Sequence, residues 1–221
     1  GMTLPEDQLT AICKNTAAHR AKNPGGAEVV GVHLEGPFLC MSKKGAQNGD
    51  YLHNPDIPML RRLQEAAQGC VKLVTLAPEQ PGAMEFIKAA GEMGIAVSVG
   101  HTAADYDTAK AAFEAGANHV THTYNGMPGL HHREPSVIGA AYEVPGVLPE
   151  LICDGVHIHG SVVRLTFGLF GGERMILISD SLRATGMPDG EYPFGGQMIE
   201  LHGNRATILG HPETLAGSVT S

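Results

Sequence analysis

Short runs of β-branched and aliphatic residues alternate along this chain with longer stretches whose apolar residues recur at helical spacing. The first run, Val29-Val30-Gly31-Val32-His33-Leu34, stops at Glu35 and at a Gly36-Pro37 pair that cannot continue a strand. Near-continuous apolarity of this kind predicts a parallel strand buried on both faces. Further runs predict strands over Val71 to Ala77, Ile95 to His101, Ala117 to His122, Glu150 to Cys153 and Met175 to Asp180. Thr3-Leu4-Pro5-Glu6 is a capping box that opens a helix to about Arg20, and an Asn23-Pro24-Gly25-Gly26 break follows it. Asp56 and Pro58 start a second helix that Gly69 ends, and Pro81 to Met93 reads as a third, stopped by Gly94. Thr102 and Asp105 cap a fourth that ends at Gly116, a loop rich in Gly, Pro and His follows His122, and a last helix is expected near Ser161 to Phe170.

Strand exits at Glu35, Ala77, His101, His122, Cys153 and Asp180 make six βα-type units, an α/β pattern. A TIM-type (β/α) barrel closes with eight strands, so the expectation is an incomplete barrel of about six parallel strands. From about Gln197 the texture changes: Met198 to His202 and Ala206 to Gly210 flank Gly203-Asn204-Arg205 as a β-hairpin. The expected organisation is a partial barrel over residues 1–196 and, over 197–221, the hairpin and the start of a truncated segment.

The polar residues at the strand exits carry the chemistry, because in a barrel of this kind all those ends converge on one face. Glu35, His101 and His122 offer one carboxylate oxygen and two imidazole nitrogens from neighbouring exits, a three-ligand metal site with a position left open. Zn²⁺ is the first choice for such a set, with Fe²⁺, Mn²⁺ or Co²⁺ compatible with mixed nitrogen and oxygen donors. Asp180 is expected to serve beside them as a proton acceptor and donor, against the plainer reading of a carboxylate that caps the Leu182 turn. His131 and His132 read as solvated, His53, His202 and His211 as surface, and Lys43-Lys44 as an exposed charged turn.

The 221 residues carry 15 Lys+Arg against 23 Asp+Glu, a formal net charge of −8 that argues against nucleic acid or an anionic membrane as partner. An apolar fraction of 43% is ordinary for a globular chain, and no apolar run is long enough to span a bilayer. Cys13, Cys40, Cys70 and Cys153 form no CxxC pair and read as reduced thiols, so a cytoplasmic location is expected. Twelve histidines are a surplus for this length, and they cluster near 101, 119 to 132 and 157 to 159.

Six segments in order, His33-Leu34-Glu35-Gly36-Pro37-Phe38, Gly100-His101-Thr102, Thr121 to Met127, Arg133-Glu134-Pro135, Asp154-Gly155-Val156-His157 and Ser179-Asp180-Ser181, resemble the N-acetylglucosamine-6-phosphate deacetylases of the amidohydrolase superfamily. The resemblance implies that Glu35, His101 and His122 hold one divalent metal ion and that Asp180 is the catalytic acid/base. It implies that His157 and the Asn125-Gly126 backbone contact an amino-sugar phosphate, with His157 also a candidate for steadying the carbonyl oxygen. It further implies that Arg133 reaches the phosphate of a neighbouring subunit's substrate, which makes a homodimer part of the site. Gln47 stands where many members have a substrate-binding His, and Ser179-Asp180-Ser181 replaces the commoner Thr-Asp-Ala. Relative to the family, the first barrel strands with their His-x-His motif and the part after Gly217-Ser218 are expected to be missing from this chain. Two other readings stay open: a different amidohydrolase, dihydroorotase-like or adenosine-deaminase-like, and an inactive or merely metal-binding fragment.

Overall fold

The computed structural model describes residues 1–22 and 25–220, so Asn23 and Pro24 of the expected break, and Ser221, lie outside the described residues. Six parallel strands lie side by side in chain order: β1 (Val32–Glu35), β2 (Val71–Leu76), β3 (Ala96–Val99), β4 (His119–Val120), β5 (Leu148–Ile152) and β6 (Ile176–Ile178). Helices α1 (Glu6–Lys22), α2 (Ile57–Ala66), α3 (Ala83–Glu92), α4 (Tyr106–Glu114), α5 (Ser136–Glu143) and α6 (Gly160–Phe170) precede or connect them. Among the described residues β1 and β6 do not pair with each other, so the six strands form the open part of a barrel, as expected.

The local chemistry explains the helix starts. Asp56 accepts the Met59 amide at 2.9 Å with Pro58 in the first turn of α2, and Asp105 accepts the Thr108 amide at 2.9 Å to open α4. Thr102 does not cap α4 as expected; its hydroxyl accepts the Ala104 amide at 2.9 Å and donates to Glu79, closing the turn ahead of the helix. Leu60 and Leu63 of α2, Phe86 and Ile87 of α3, and Ala109, Ala112 and Phe113 of α4 share one core with Leu34, Val74, Leu76, Val97 and Val99 of the sheet. Burial of each large side chain stabilises the fold by about 1.5 to 3 kcal/mol, which fixes the helices against the strands and so the direction of the strand exits.

Two expectations are corrected and a third, the hairpin, is met and extended. The first strand begins at Val32, because Val29 and Val30 precede the sheet and Val30 is 71% exposed; within β1 burial alternates, with Val32 and Leu34 buried and His33 and Glu35 half-buried on the other face. The Gly, Pro and His-rich loop contains α5, eight residues long with Gly139 inside it, too short and too broken to show helical periodicity. The carboxyl-terminal hairpin belongs to a four-stranded antiparallel sheet in the order β10-β9-β8-β7, made of β7 (Gly190–Phe194), β8 (Gln197–His202), β9 (Arg205–Ile208) and β10 (His211–Leu215). Its first strand escaped notice because Pro193 interrupts it. Gly195 and Gly196, at φ 54° and 83°, form the two-residue turn from β7 to β8, a backbone that favours glycine at both positions. A second apolar cluster, with Leu182, Ile199, Leu201, Ala206 and Ile208, sits under this sheet.

Candidate metal centre

Three ligand-competent atoms meet at the carboxyl ends of β1, β3 and β4. Glu35 Oε1 lies 2.9 Å from His101 Nε2 and 3.1 Å from His122 Nε2, and the two ring nitrogens are 3.0 Å apart. His101 Nδ1 lies 2.8 Å from the Lys43 carbonyl, which can only accept, so Nδ1 carries a proton and a neutral His101 ring presents its Nε2 lone pair to the cluster. This is the backbone partner that metal-ligating histidines commonly have, and it fixes both tautomer and ring direction. The rings of His101 and His122 meet edge to face, 4.7 Å between centroids.

Two nitrogens and one carboxylate oxygen, all within 4.8 Å of one another, need a positive charge between them, and the set fits a divalent cation. Without one, only protons can supply it. Burial disfavours the His122 cation, but the hydrogen bond to Glu35 and its charge outweigh burial and raise that ring to about 9. Burial likewise works against the Glu35 carboxylate, and the two histidines more than compensate, holding it well below the usual value. Buried His122 Nδ1 has no hydrogen-bond partner among the described residues.

The backbone marks the same positions. His101, His122 and Asp180 have φ of 46°, 30° and 49°, in the left-handed region that costs an L-residue roughly 1 to 2 kcal/mol. Non-glycine residues keep such angles where the surroundings over-determine them, and they cluster at functional sites.

A cavity of about 700 Å³ opens over the cluster, and its wall includes Gln47, Asn125, Gly126, His157 and Asp180. Burial, then the Glu35 charge, push the Asp180 carboxyl above its ordinary value. Asp180 is held by the chain returning from β10: the Ser218 amide donates to the Asp180 carbonyl at 2.8 Å, and the Leu182 amide donates to the Ser218 carbonyl at 2.8 Å. The same return segment meets His157, whose Nδ1 lies 2.7 Å from Asp154 Oδ2 and whose Nε2 lies 2.9 Å from the Ala216 carbonyl. Asp154 also accepts the amides of Val156 and His157 at 2.9 Å each. Gln47 is buried and accepts the Thr3 amide at 2.8 Å through Oε1. Asn125 Nδ2 donates to the His122 carbonyl at 3.1 Å, and a Cβ on Gly126 would fall 2.9 Å from His101 Nδ1, so only glycine lets this loop lie against the ligand.

Arg133 is the one expected site residue that is not brought to this cavity. It lines a separate cleft with Asp105, Tyr106 and His131, and its guanidinium lies 2.7 Å from His132 Nε2. Sequence reasoning assigned no role to Asp154, although its i, i+3 spacing to His157 is a signal, nor to the return segment Ala216 to Ser218. It also passed over a row of buried hydroxyls beneath the ligands.

The Amidohydrolase family model matches residues 9–190. An N-acetylglucosamine-6-phosphate deacetylase of Bacillus subtilis (strain 168) is 44% identical over 194 residues, 88% of this chain and 48% of the relative. An N-acetylgalactosamine-6-phosphate deacetylase of Escherichia coli O157:H7 is 38% identical over 220 residues, 100% of this chain and 58% of the relative. In structure the chain is similar to a mutant N-acetyl-D-glucosamine-6-phosphate deacetylase from Mycobacterium smegmatis in complex with N-acetyl-D-glucosamine-6-phosphate, with a TM-score of 0.94 and 34% identity over 100% of this chain and 56% of that one. The chain thus spans about half the length of the curated relatives it matches. Its matching segment, its six parallel strands and its Glu-His-His cluster agree: the chain belongs to the amidohydrolase family.

Proposed function

We propose that this protein removes acetate from N-acetyl-D-glucosamine 6-phosphate to give D-glucosamine 6-phosphate. The observation that carries the reading is the convergence of Glu35, His101 and His122 at one end of the sheet, with Asp180 and His157 on the wall of the same cavity. A single divalent cation, Zn²⁺ before Fe²⁺, Mn²⁺ or Co²⁺, would be held by those three residues and would supply the Lewis acidity that an unactivated amide requires. Asp180, whose raised carboxyl suits proton transfer, takes the proton of the attacking water as its oxygen adds to the acetamide carbon. It returns that proton to the amine nitrogen as the C–N bond breaks, leaving acetate and the free amino sugar. His157 keeps Nδ1 on Asp154 and is assigned to the carbonyl oxygen or a sugar hydroxyl through Nε2, which must exchange the Ala216 carbonyl for the substrate to do so. Asn125, Gly126 and Gln47 shape the sugar subsite. Arg133, on a cleft of its own, is assigned to the phosphate of a neighbouring subunit's substrate in a homodimer. The polar sugar phosphate of this reading is a substrate of the cytoplasm, where the reaction is placed.

The test is acetate release from N-acetylglucosamine 6-phosphate, its galactosamine epimer and unphosphorylated N-acetylglucosamine, by the protein carrying a full complement of metal. The phosphorylated glucosamine derivative is expected to react fastest. Preference for the epimer would move the assignment to the E. coli relative's named substrate, and no release from any of the three would leave a metal-binding fragment.

A further inference from the structure

Beneath the three ligands a row of side chains crosses the sheet. His33 Nε2 lies 2.7 Å from Thr75 Oγ1, Thr75 Oγ1 lies 2.7 Å from Thr121 Oγ1, and Thr121 Oγ1 donates to Ser98 Oγ at 2.6 Å. Thr75, Ser98 and Thr121 are all buried. A hydroxyl has one proton to give. Thr121 uses its proton on Ser98, so Thr75 donates to Thr121, and the Nε2–H of His33 donates to Thr75. The chain therefore runs in one direction, and such a chain strengthens its members cooperatively in a buried setting.

Each member borders a ligand-bearing segment. His33 shares a face of β1 with Glu35, two residues on. Thr121 directly precedes His122. Thr75 and Thr121 together form the surface against which Gly100, the residue before His101, is pressed: a Cβ on Gly100 would lie 2.7 Å from Thr121 Cβ and 3.0 Å from Thr75 Cγ2. Thr75 is also the register partner of both Glu35 and Ser98. His101 and His122 leave their strands in left-handed backbone, which relaxes unless neighbouring groups hold it.

We infer that His33, Thr75, Thr121 and Ser98 form a positioning network whose hydrogen bonds, beyond their packing, hold β1 and the exits of β3 and β4 at the spacing in which Glu35, His101 and His122 converge on one cation. The inference deepens the metal reading proposed above and rests on it.

The test replaces the hydroxyls without changing shape. Thr121→Val and Thr75→Val keep the branched volume, while Thr121→Ser and Thr75→Ser keep the hydroxyl. Each protein is titrated with Co²⁺ and followed by visible absorption, and each is melted in chelator. The valine variants are expected to bind Co²⁺ about 10- to 100-fold more weakly, the range seen when outer partners of a metal site are lost, and the serine variants to stay close to the unaltered protein. Valine variants with unchanged Co²⁺ affinity, even if they melt earlier, would overturn the inference and leave the metal site standing. Serine variants as weak as the valine ones would overturn it too, because packing would then be the cause. If one valine variant fails to fold, the other, at an adjacent link of the same chain, carries the comparison. Absence of Co²⁺ binding in the unaltered protein would overturn the metal reading and this inference together, and would be seen before any variant is compared.

Discussion

Asp180 stands at the only expected acid/base position, half-buried on the wall of the cavity and close enough to Glu35 to feel its charge. Asp180→Asn is expected to keep the bound metal and to lower kcat by roughly 10² to 10⁴, the scale of general acid/base catalysis. Activity and metal content measured on one preparation check this; loss of the metal would instead make Asp180 a ligand. Gly100 gives a second test at this scale. Gly100→Ala drives a methyl group to 2.7 Å from Thr121 Cβ and is expected to destabilise the protein by about 1 to 3 kcal/mol, read from denaturant unfolding. Glu35, His101 and His122 are legible in the sequence because each is a chemically loaded residue placed where an apolar run stops. Thr75, Ser98 and Thr121 are not, since they pass for ordinary strand residues until the sheet register brings them together. Arg133 is given a role only by the resemblance, and it lies on a separate cleft, in a loop that periodicity does not describe.

At the scale of the element, the segment after β5 ties two parts of the molecule. Burial alone would raise the Asp154 carboxyl, but the amides of His157 and Val156 and the His157 ring hold it below its ordinary value. A carboxyl depressed in the folded state binds fewer protons there than in the unfolded chain, so its contribution to stability is present above about pH 4 and is lost as pH falls through the folded value. Asp154→Asn should therefore melt below the unaltered protein at pH 7, with the gap closing as the pH is taken below 4. A gap that stays constant would show that charge plays no part. The strands and most helices can be read in advance because end signals and periodicity agree, as at Asp56 and Asp105. Where signals conflict, as at Pro193 within β7 and Gly139 within α5, tertiary packing decides and local pattern fails.

At the scale of the whole molecule, the parallel sheet is a row of six strands that, among the described residues, has two edges. At the β1 edge, Gly1 takes up part of the backbone, its carbonyl accepting the Glu35 amide at 2.7 Å. At the other side, Leu177 of β6 is 62% exposed, and Leu165 of α6 is 66% exposed. Unpaired edges and uncovered apolar side chains favour association. The 221-residue chain prepared by itself is expected to be a dimer or larger by light scattering, and a well-behaved monomer would contradict this. The central claim concerns the three-residue cluster, and it is tested most directly by the stoichiometry of tightly bound divalent metal, measured by elemental analysis of the unaltered protein beside Glu35→Ala, His101→Ala and His122→Ala. About one ion per chain is predicted for the unaltered protein, falling sharply when any one of the three ligands is removed. Metal content undiminished in all three variants would contradict the account.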